Sequence, residues 1–136
     1  MTAVAIDTNA YTAFRKGQRD AVEIFSMADH LIVPAIVLGE LHAGFALGTR
    51  HSANERDLAR FLASARVSVQ GVDERISVVY GSVFMQLRRA GTPVPTNDMW
   101  IAATVLSAGA ALFTFDAHFA AIDALRVVKQ WPEVMQ

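Results

Sequence analysis

The chain has 136 residues and a formal net charge of −1, and 53% of its residues are hydrophobic while 18% are charged. A chain of this length buries one core of ordinary size, so the sequence predicts a single domain over residues 1–136, and the near-neutral charge argues against a broad basic surface for nucleic acid. The absence of cysteine excludes disulfides, zinc–thiolate sites and thiol nucleophiles, and it suits a reducing cytoplasm.

Strand and helix signals alternate along the first half of the chain. The apolar run at residues 3–6 is typical of a strand buried on both faces, and helical patterning follows it in pieces to about Ala28. Residues 31–33 predict a second buried strand, after which Pro34 opens a helix that extends to about Leu47. An amphipathic helix is predicted at residues 52–65.

The same alternation continues in the second half. The predicted elements are a weak strand at 67–69, a helix at 74–90, a loop at 91–97, a helix at 98–108, a buried strand at 111–115 and an edge strand at 125–128. Strands that alternate with helices indicate an α/β fold, with a central parallel sheet of four or five short strands and helices on both faces.

No segment has the features of a membrane span or a signal peptide. The longest apolar tract, residues 101–115, is shorter than the ~20 residues that a spanning helix needs, and the N-terminal apolar run is too short for a signal peptide. The sequence therefore predicts a soluble, cytoplasmic protein.

Four acids follow apolar runs at points where a parallel strand ends or a helix begins; they are Asp7, Glu40, Asp98 and Asp116. Asp7 and Asp116 directly follow predicted strands, so both belong at the carboxyl edge of the sheet, where open parallel sheets bind ligands. Taken alone, Asp7, Asp98 and Asp116 are also explained as helix caps or first-turn acids. The pattern therefore leaves both a capping role and a ligand site open.

Glu40 is the acid that capping explains least well. Ile36, Val37, Ala43 and Gly44 lie one helical turn from it, so we expect its carboxylate to project from an apolar stripe. A charge in such surroundings is costly unless something pairs with it. The partner is either an arginine or a cation that Glu40 shares with the other acids.

Carboxylates brought together repel one another and raise their own pKa values unless a cation lies among them. Oxygen ligands of this kind suit Mg²⁺ or Mn²⁺. Zinc is not favoured, because His30, His42, His51 and His118 show no paired spacing. We expect each histidine to be an ordinary surface residue or a group that orients a metal ligand.

A local basic cluster follows the first acid. Arg15, Lys16 and Arg19 are candidates for contacting nucleic-acid phosphates, because arginine in particular pairs with phosphate through a planar fork. The same residues are also explained as a solvated helix surface balanced by Asp20 and Glu23.

Four stretches resemble, in order, the signature blocks of PIN-domain ribonucleases; they are AIDTN (5–9), ELHAG (40–44), NDMWIAA (97–103) and LFTFDAHF (112–119). More narrowly, they are similar to the VapC toxins of bacterial type II toxin–antitoxin pairs. No single block is specific, but the ordered set is, and it spans nearly the whole chain.

The resemblance implies a set of roles for the acids. Asp7 and Asp98 match the two principal Mg²⁺-binding acids of the family, and Glu40 and Asp116 match the other two of its catalytic quartet. One of these last two would accept a proton from the attacking water. The implied activity is cleavage of single-stranded RNA, which leaves a 5′-phosphate and a 3′-hydroxyl. The implied partners are RNA, a cognate antitoxin and a second copy of the chain.

The resemblance also points to small polar residues beside the acids. Thr8, Asn9, Asn97 and Thr114 match positions where the family places groups that orient the carboxylates. Ordinary turn and cap chemistry explains the same residue types equally well.

Two functions of other classes remain open. A strand-end aspartate such as Asp7 can act as the nucleophile of an aspartyl-phosphate phosphatase or phosphotransfer enzyme. The haloacid-dehalogenase pattern, however, has a second aspartate two positions further on, where this chain has Asn9. In the other alternative the acids are caps, and the chain is a catalytically inactive module that binds a partner protein.

Overall fold

The computed structural model describes residues 2–136, which form five β-strands, seven α-helices and one 3₁₀-helix. In chain order the elements are β1 (Ala3–Ile6), α1 (Thr8–Arg15), α2 (Arg19–Met27), β2 (His30–Pro34), α3 (Ala35–Leu47), α4 (His51–Leu62), β3 (Val67–Gln70), α5 (Glu74–Ala90), α6 (Thr96–Ala108), β4 (Ala111–Phe113), the 3₁₀-helix (Ala117–Ala121), β5 (Val127–Val128) and α7 (Trp131–Val134). Within residues 2–136, no helix combines the length and hydropathy needed to cross a membrane.

The strands form one sheet in the order β3-β2-β1-β4-β5, and every neighbouring pair is parallel. In the central strand β1, Val4, Ala5 and Ile6 are all fully buried. Because successive side chains of a strand point to opposite faces, their burial means that both faces of the sheet are covered. The predicted α/β fold, with a parallel sheet and helices on both faces, is confirmed.

The strand order creates a switch point between β1 and β4. From β1 the chain moves outward to β2 and β3, and it then returns to the other side of β1 to form β4. Ile6 pairs in register with Phe113, so Asp7 and Thr114 leave the sheet side by side. The crevice beyond the carboxyl ends at such a switch point is where open α/β sheets bind ligands.

The fourth strand is shorter than the apolar run predicted. The prediction extended it to Phe115, whereas β4 ends at Phe113. The Asp116 backbone N–H donates to the Thr114 hydroxyl at 2.9 Å, and this turn competes with strand pairing. The turn directs the chain away from the sheet immediately after the switch point.

Helix α6 begins earlier than predicted. Residues 91–97 were predicted as a loop, but the helix starts at Thr96 with Pro95 at its N-cap. Proline suits this boundary because its fixed φ is compatible with a helix start. Its missing backbone N–H costs nothing there, because the first N–H groups of a helix have no partner within the helix. Asp98 therefore lies in the first turn of α6, at the end that faces the carboxyl edge of the sheet.

The apolar residues of α3 are only partly buried. Val37 is buried and Ile36 is half-buried, but Ala43 and Gly44 are exposed, and Leu47 at the helix end is 91% exposed. The helix is apolar around most of its circumference, so its residue pattern does not define which face packs against the core.

Candidate active site

Asp7 lies buried at the carboxyl end of β1, with only 4% of its surface exposed. Its Oδ1 accepts a hydrogen bond from the Ala10 backbone N–H at 2.8 Å and so caps α1. Its Oδ2 accepts a hydrogen bond from the hydroxyl of Thr114, which follows the neighbouring strand β4. Asp7 is therefore both a helix cap and a member of the switch-point cluster.

The surroundings of Asp7 oppose its ionisation. Burial raises its pKa to about 6, although the hydrogen bonds from Thr114 and Ala10 partly offset this effect. The negative charges of Asp116 and Asp98 contribute to the same increase, so the three carboxylates lie close enough to interact electrostatically.

Asp98 projects from the first turn of α6 toward the same crevice. Its Oδ2 lies 3.1 Å from Nδ1 of His118. Burial raises the pKa of Asp98, the hydrogen bond and charge of His118 lower it, and the charges of Asp116 and Glu40 raise it. Asp98 thus interacts electrostatically with both Asp116 and Glu40.

Asp116 caps the 3₁₀-helix, because its Oδ1 accepts a hydrogen bond from the His118 backbone N–H at 2.9 Å. The same Oδ1 lies 3.2 Å from Nδ1 of the His118 ring. Since the Asp116 N–H donates to the Thr114 hydroxyl, and that hydroxyl donates to Asp7, a single threonine positions two of the acids.

Glu40 reaches the site from the second turn of α3. Its Oε1 accepts a hydrogen bond from the Thr8 hydroxyl at 2.6 Å, and its Oε2 lies 3.4 Å from Nδ2 of Asn97. Both partners are neutral. Within residues 2–136, Glu40 therefore does not form the ion pair with an arginine that the sequence left open.

The cluster has the composition of a divalent-cation site. One ligand atom from each of Asp98, Asp116 and His118 lies within 4.8 Å of the others. Across the described residues, neither lysine nor arginine forms an ion pair with Asp7, Glu40, Asp98 or Asp116. Acids whose negative charges raise the pKa values of Asp7 and Asp98, without a fixed cation to neutralise them, fit a bound metal ion.

The four small polar residues singled out in the sequence differ in their surroundings. The side chains of Thr8, Asn97 and Thr114 each hydrogen-bond to one of the acids. Asn9 is exposed on α1, and none of the hydrogen bonds found in residues 2–136 joins its side chain to an acid.

His118 lies in the site although it was not among the predicted ligands. It was treated with the other histidines as a surface residue or an orienting group, yet its ring nitrogen lies between two of the acids. The signal that could have identified it is its position two residues after Asp116, one of the four predicted acids. A single turn of chain at that point keeps the histidine beside Asp116.

The predicted basic cluster lies at the far end of α1. Arg15 and Lys16 contribute, together with Arg50, to the lining of a surface cavity of about 340 Å³. Arg15 also pairs with Asp57 at 2.8 Å. Arg19 is exposed at the start of α2 and lies outside this cavity lining.

The sequence profile of the PIN domain, a nuclease class, matches residues 4–125. Ribonuclease VapC4 of Mycobacterium tuberculosis (strain ATCC 25618 / H37Rv) is 34% identical over 96 residues, which are 71% of this chain and 74% of that protein. The chain therefore belongs to the VapC ribonucleases of the PIN-domain family, as the four sequence blocks predicted.

Solved structures agree with this assignment. VapBC-1 from nontypeable Haemophilus influenzae has a chain that is 26% identical and superimposes with a TM-score of 0.80, covering 93% of this chain and 96% of that one. VapBC2 from Rickettsia felis, bound to a DNA fragment from its promoter, gives a TM-score of 0.83 at 22% identity and covers 93% and 97% of the two chains. At that identity, the second comparison shows the fold alone.

Proposed function

We propose that residues 1–136 act as one cytoplasmic nuclease domain, a metal-dependent endoribonuclease that cleaves single-stranded RNA as the toxin of a type II toxin–antitoxin pair. The observation that supports this most strongly is that Asp7, Glu40, Asp98 and Asp116 meet at the switch point of a VapC-family chain. PIN-domain ribonucleases are metal-dependent. Mg²⁺ is the ion that we propose, and Mn²⁺ is the second candidate, because the cluster consists mainly of carboxylate oxygens.

Asp7 and Asp98 would hold the metal ion, with Glu40 and Asp116 completing the set. When bound, a divalent cation activates water and stabilises the charge that develops during phosphodiester hydrolysis. Asp7 is suited to a ligand role because the Ala10 N–H and the Thr114 hydroxyl hold its carboxylate in a single orientation.

The chain's own groups would also handle the proton. In the proposed reaction the water oxygen bonds to phosphorus, and Glu40 or Asp116 accepts the water proton. The P–O3′ bond breaks, and O3′ leaves with its electron pair and takes up a proton from a solvent water. Glu40 suits the base role because each of its oxygens accepts one hydrogen bond from a neutral donor and retains a free lone pair. The products would be a 5′-phosphate and a 3′-hydroxyl.

The substrate would extend from the acids along α1. Asp7 caps the start of this helix and Arg15 is its last residue, so at ~1.5 Å per residue they lie roughly 12 Å apart along the axis. We propose that Arg15 and Lys16 contact RNA phosphates from the cavity that they line, with Arg19 as a more peripheral contact.

Binding of RNA can be tested without cleavage. The Asp98→Asn protein is titrated into a fluorescent single-stranded RNA, with and without Arg15→Ala and Lys16→Ala. A matched control removes two exposed charges from the end of α5 by Arg88→Ala and Arg89→Ala. We expect the first pair to weaken binding and reduce its salt dependence more than the control pair. Equal effects of the two pairs would remove the α1 cluster from the proposal.

The assembly partners follow from the family. We propose that a cognate antitoxin protein inhibits the enzyme and that the toxin forms a homodimer. Co-purification of the tagged chain with the product of an adjacent gene tests the first partner, and light scattering of the isolated chain tests the second. A strictly monomeric chain at micromolar concentration would refute the homodimer.

The experiment that tests the activity uses purified, antitoxin-free protein and a mixed RNA pool, with Mg²⁺, Mn²⁺ or EDTA. Cleavage should require the metal and disappear in Asp7→Asn and in Asp98→Asn. Asp73→Asn is a matched control, because Asp73 caps α5 as Asp7 caps α1 but belongs to no acidic cluster. Cleavage that persists in EDTA or in Asp98→Asn would refute the assignment.

The phosphatase alternative is disfavoured by the surroundings of Asp7. A nucleophilic carboxylate must admit a phosphoryl group in line with one of its oxygens, whereas Asp7 is only 4% exposed. Stable trapping of an Asp7 beryllofluoride adduct would reverse this ranking. The binding-module alternative predicts that no metal ion binds and that no RNA is cut.

A further inference from the structure

The histidine beside the acids has a geometry that capping does not require. Nδ1 of His118 lies 3.1 Å from Oδ2 of Asp98 and 3.2 Å from Oδ1 of Asp116. One ring nitrogen is therefore directed at two carboxylates that come from different elements, α6 and the 3₁₀-helix.

These separations match two edges of a metal coordination shell. Ligands at right angles around a divalent ion, each about 2.1 Å from it, are roughly 3 Å apart. The two distances from Nδ1 to the carboxylate oxygens fall at this value, and the three ligand atoms all lie within 4.8 Å of one another. The three side chains could therefore share one ion with little rearrangement.

The surrounding chain holds the ring in this position. The His118 backbone N–H donates to Asp116, and the Asp116 N–H donates to Thr114, so one hydrogen-bonded turn carries both side chains. Phe119, the next residue, is only 1% exposed and anchors the 3₁₀-helix in the core. The position of the His118 ring beside the acids is therefore fixed by a hydrogen-bonded turn that is anchored in the core.

We infer that His118 is a nitrogen ligand of the metal centre, beside Asp98 and Asp116, and that it shifts the ion preference of the site toward divalent transition ions. Imidazole binds these ions in preference to Mg²⁺, which favours oxygen ligands and water. The inference rests on the proposed metal-dependent function, and it modifies the expectation of a site made only of oxygen ligands.

The test is direct detection of the nitrogen ligand. The 136-residue chain is loaded with substoichiometric Mn²⁺, and pulsed electron paramagnetic resonance measures coupling of the ion to a directly bonded ¹⁴N nucleus. We expect the coupling in the wild type and its loss in His118→Ala. Calorimetry should show Co²⁺ affinity falling by about tenfold or more in His118→Ala, while Mg²⁺ affinity changes much less.

His42 provides a matched control. Its Nδ1 lies 2.8 Å from Glu55, and its side chain is 52% exposed against 53% for His118, but it faces a single carboxylate. The variant His42→Ala should retain both the ¹⁴N coupling and the Co²⁺ affinity. Circular dichroism of each variant verifies that the fold is intact.

The outcomes separate this inference from the proposed function. Mn²⁺ that binds the wild type without ¹⁴N coupling, or Co²⁺ affinity that is unchanged in His118→Ala, overturns the ligand role of His118. If metal binding nevertheless requires Asp98, the proposed metal centre stands. If metal binding survives Asp98→Asn, or no ion binds the wild type, the proposed function fails as well.

Discussion

Replacing Asp7 with asparagine is expected to abolish RNA cleavage and, at the same time, to increase the free energy of unfolding of the metal-free protein at pH 7.5. The physical reason is that Asp7 is buried, which raises its pKa from 3.8 to about 6. Without a cation, folding at pH 7.5 places an ionised carboxylate where ionisation is unfavourable. The negative charge of Asp7, which the proposed metal site needs, therefore lowers the stability of the metal-free protein.

The magnitude follows from the pKa. Since each tenfold change in a protonation equilibrium is ~1.4 kcal/mol, a pKa of about 6 against 3.8 corresponds to roughly 3 kcal/mol of lost stability. Asparagine keeps one oxygen for the Ala10 N–H but presents an amide to the Thr114 hydroxyl, which must change from donor to acceptor. That exchange offsets about 1 kcal/mol, so we expect a net gain of about 2 kcal/mol.

The sign of the pH dependence is determined by the same pKa. The folded state binds the Asp7 proton more tightly than the unfolded state does, so protonation of Asp7 stabilises the fold at low pH. The metal-free wild type loses this stabilisation as the pH rises from 3.8 to about 6. The loss is complete above that range. Asp7→Asn lacks the titration, so its advantage over wild type should be larger at pH 7.5 than at pH 4.5.

Urea unfolding in EDTA, followed by circular dichroism at the two pH values, measures this difference. Asp73→Asn is the control, because it changes a helix-capping aspartate that is exposed. Addition of Mg²⁺ should stabilise the wild type and not Asp7→Asn. An advantage of Asp7→Asn that does not grow between pH 4.5 and 7.5 would refute the reasoning.

Three further predictions concern single contacts. Thr114→Val should reduce metal affinity and cleavage by roughly ten- to a hundredfold, because two acids lose the hydroxyl that positions them; near-normal metal affinity by calorimetry would contradict this. Arg66→Met should lower the free energy of unfolding by about 1–2 kcal/mol without changing metal affinity, because its guanidinium donates to carbonyl oxygens at the end of α2. Gly109→Ala should cost about 1 kcal/mol, because φ is +66° there, whereas Gly81→Ala within α5 should gain about 0.5–1 kcal/mol. Equal effects of the two alanines in urea unfolding would argue against the backbone explanation.

Much of the local structure can be predicted from the sequence, because its causes are local. The helix Glu74–Ala90 was predicted with its observed bounds, since Gly91 follows it in the left-handed conformation and Asp73 caps its start. The strand end that carries Asp7 was also recognised from a short apolar run, whereas the strand before Asp116 ends at Phe113, two residues earlier than predicted. The ordered sequence blocks extended this local information to the family.

The tertiary structure alone decided which of these ends meet. The Thr114 hydroxyl reaches Asp7 across 107 residues of chain because β4 pairs with β1 rather than with β3. No residue pattern near either position specifies that pairing, since strand order depends on how the whole set of helices packs. The same holds for the burial that raises the pKa of Asp7.

The two kinds of information therefore contribute differently to the site. The sequence by itself determined the acids, the element types and the family, because turn chemistry, apolar periodicity and short motifs are encoded within a few residues. Only the folded chain decided that α3 leaves much of its apolar surface exposed and that His118 lies between Asp98 and Asp116. These features depend on contacts between residues that are distant in sequence, and local patterns do not record such contacts.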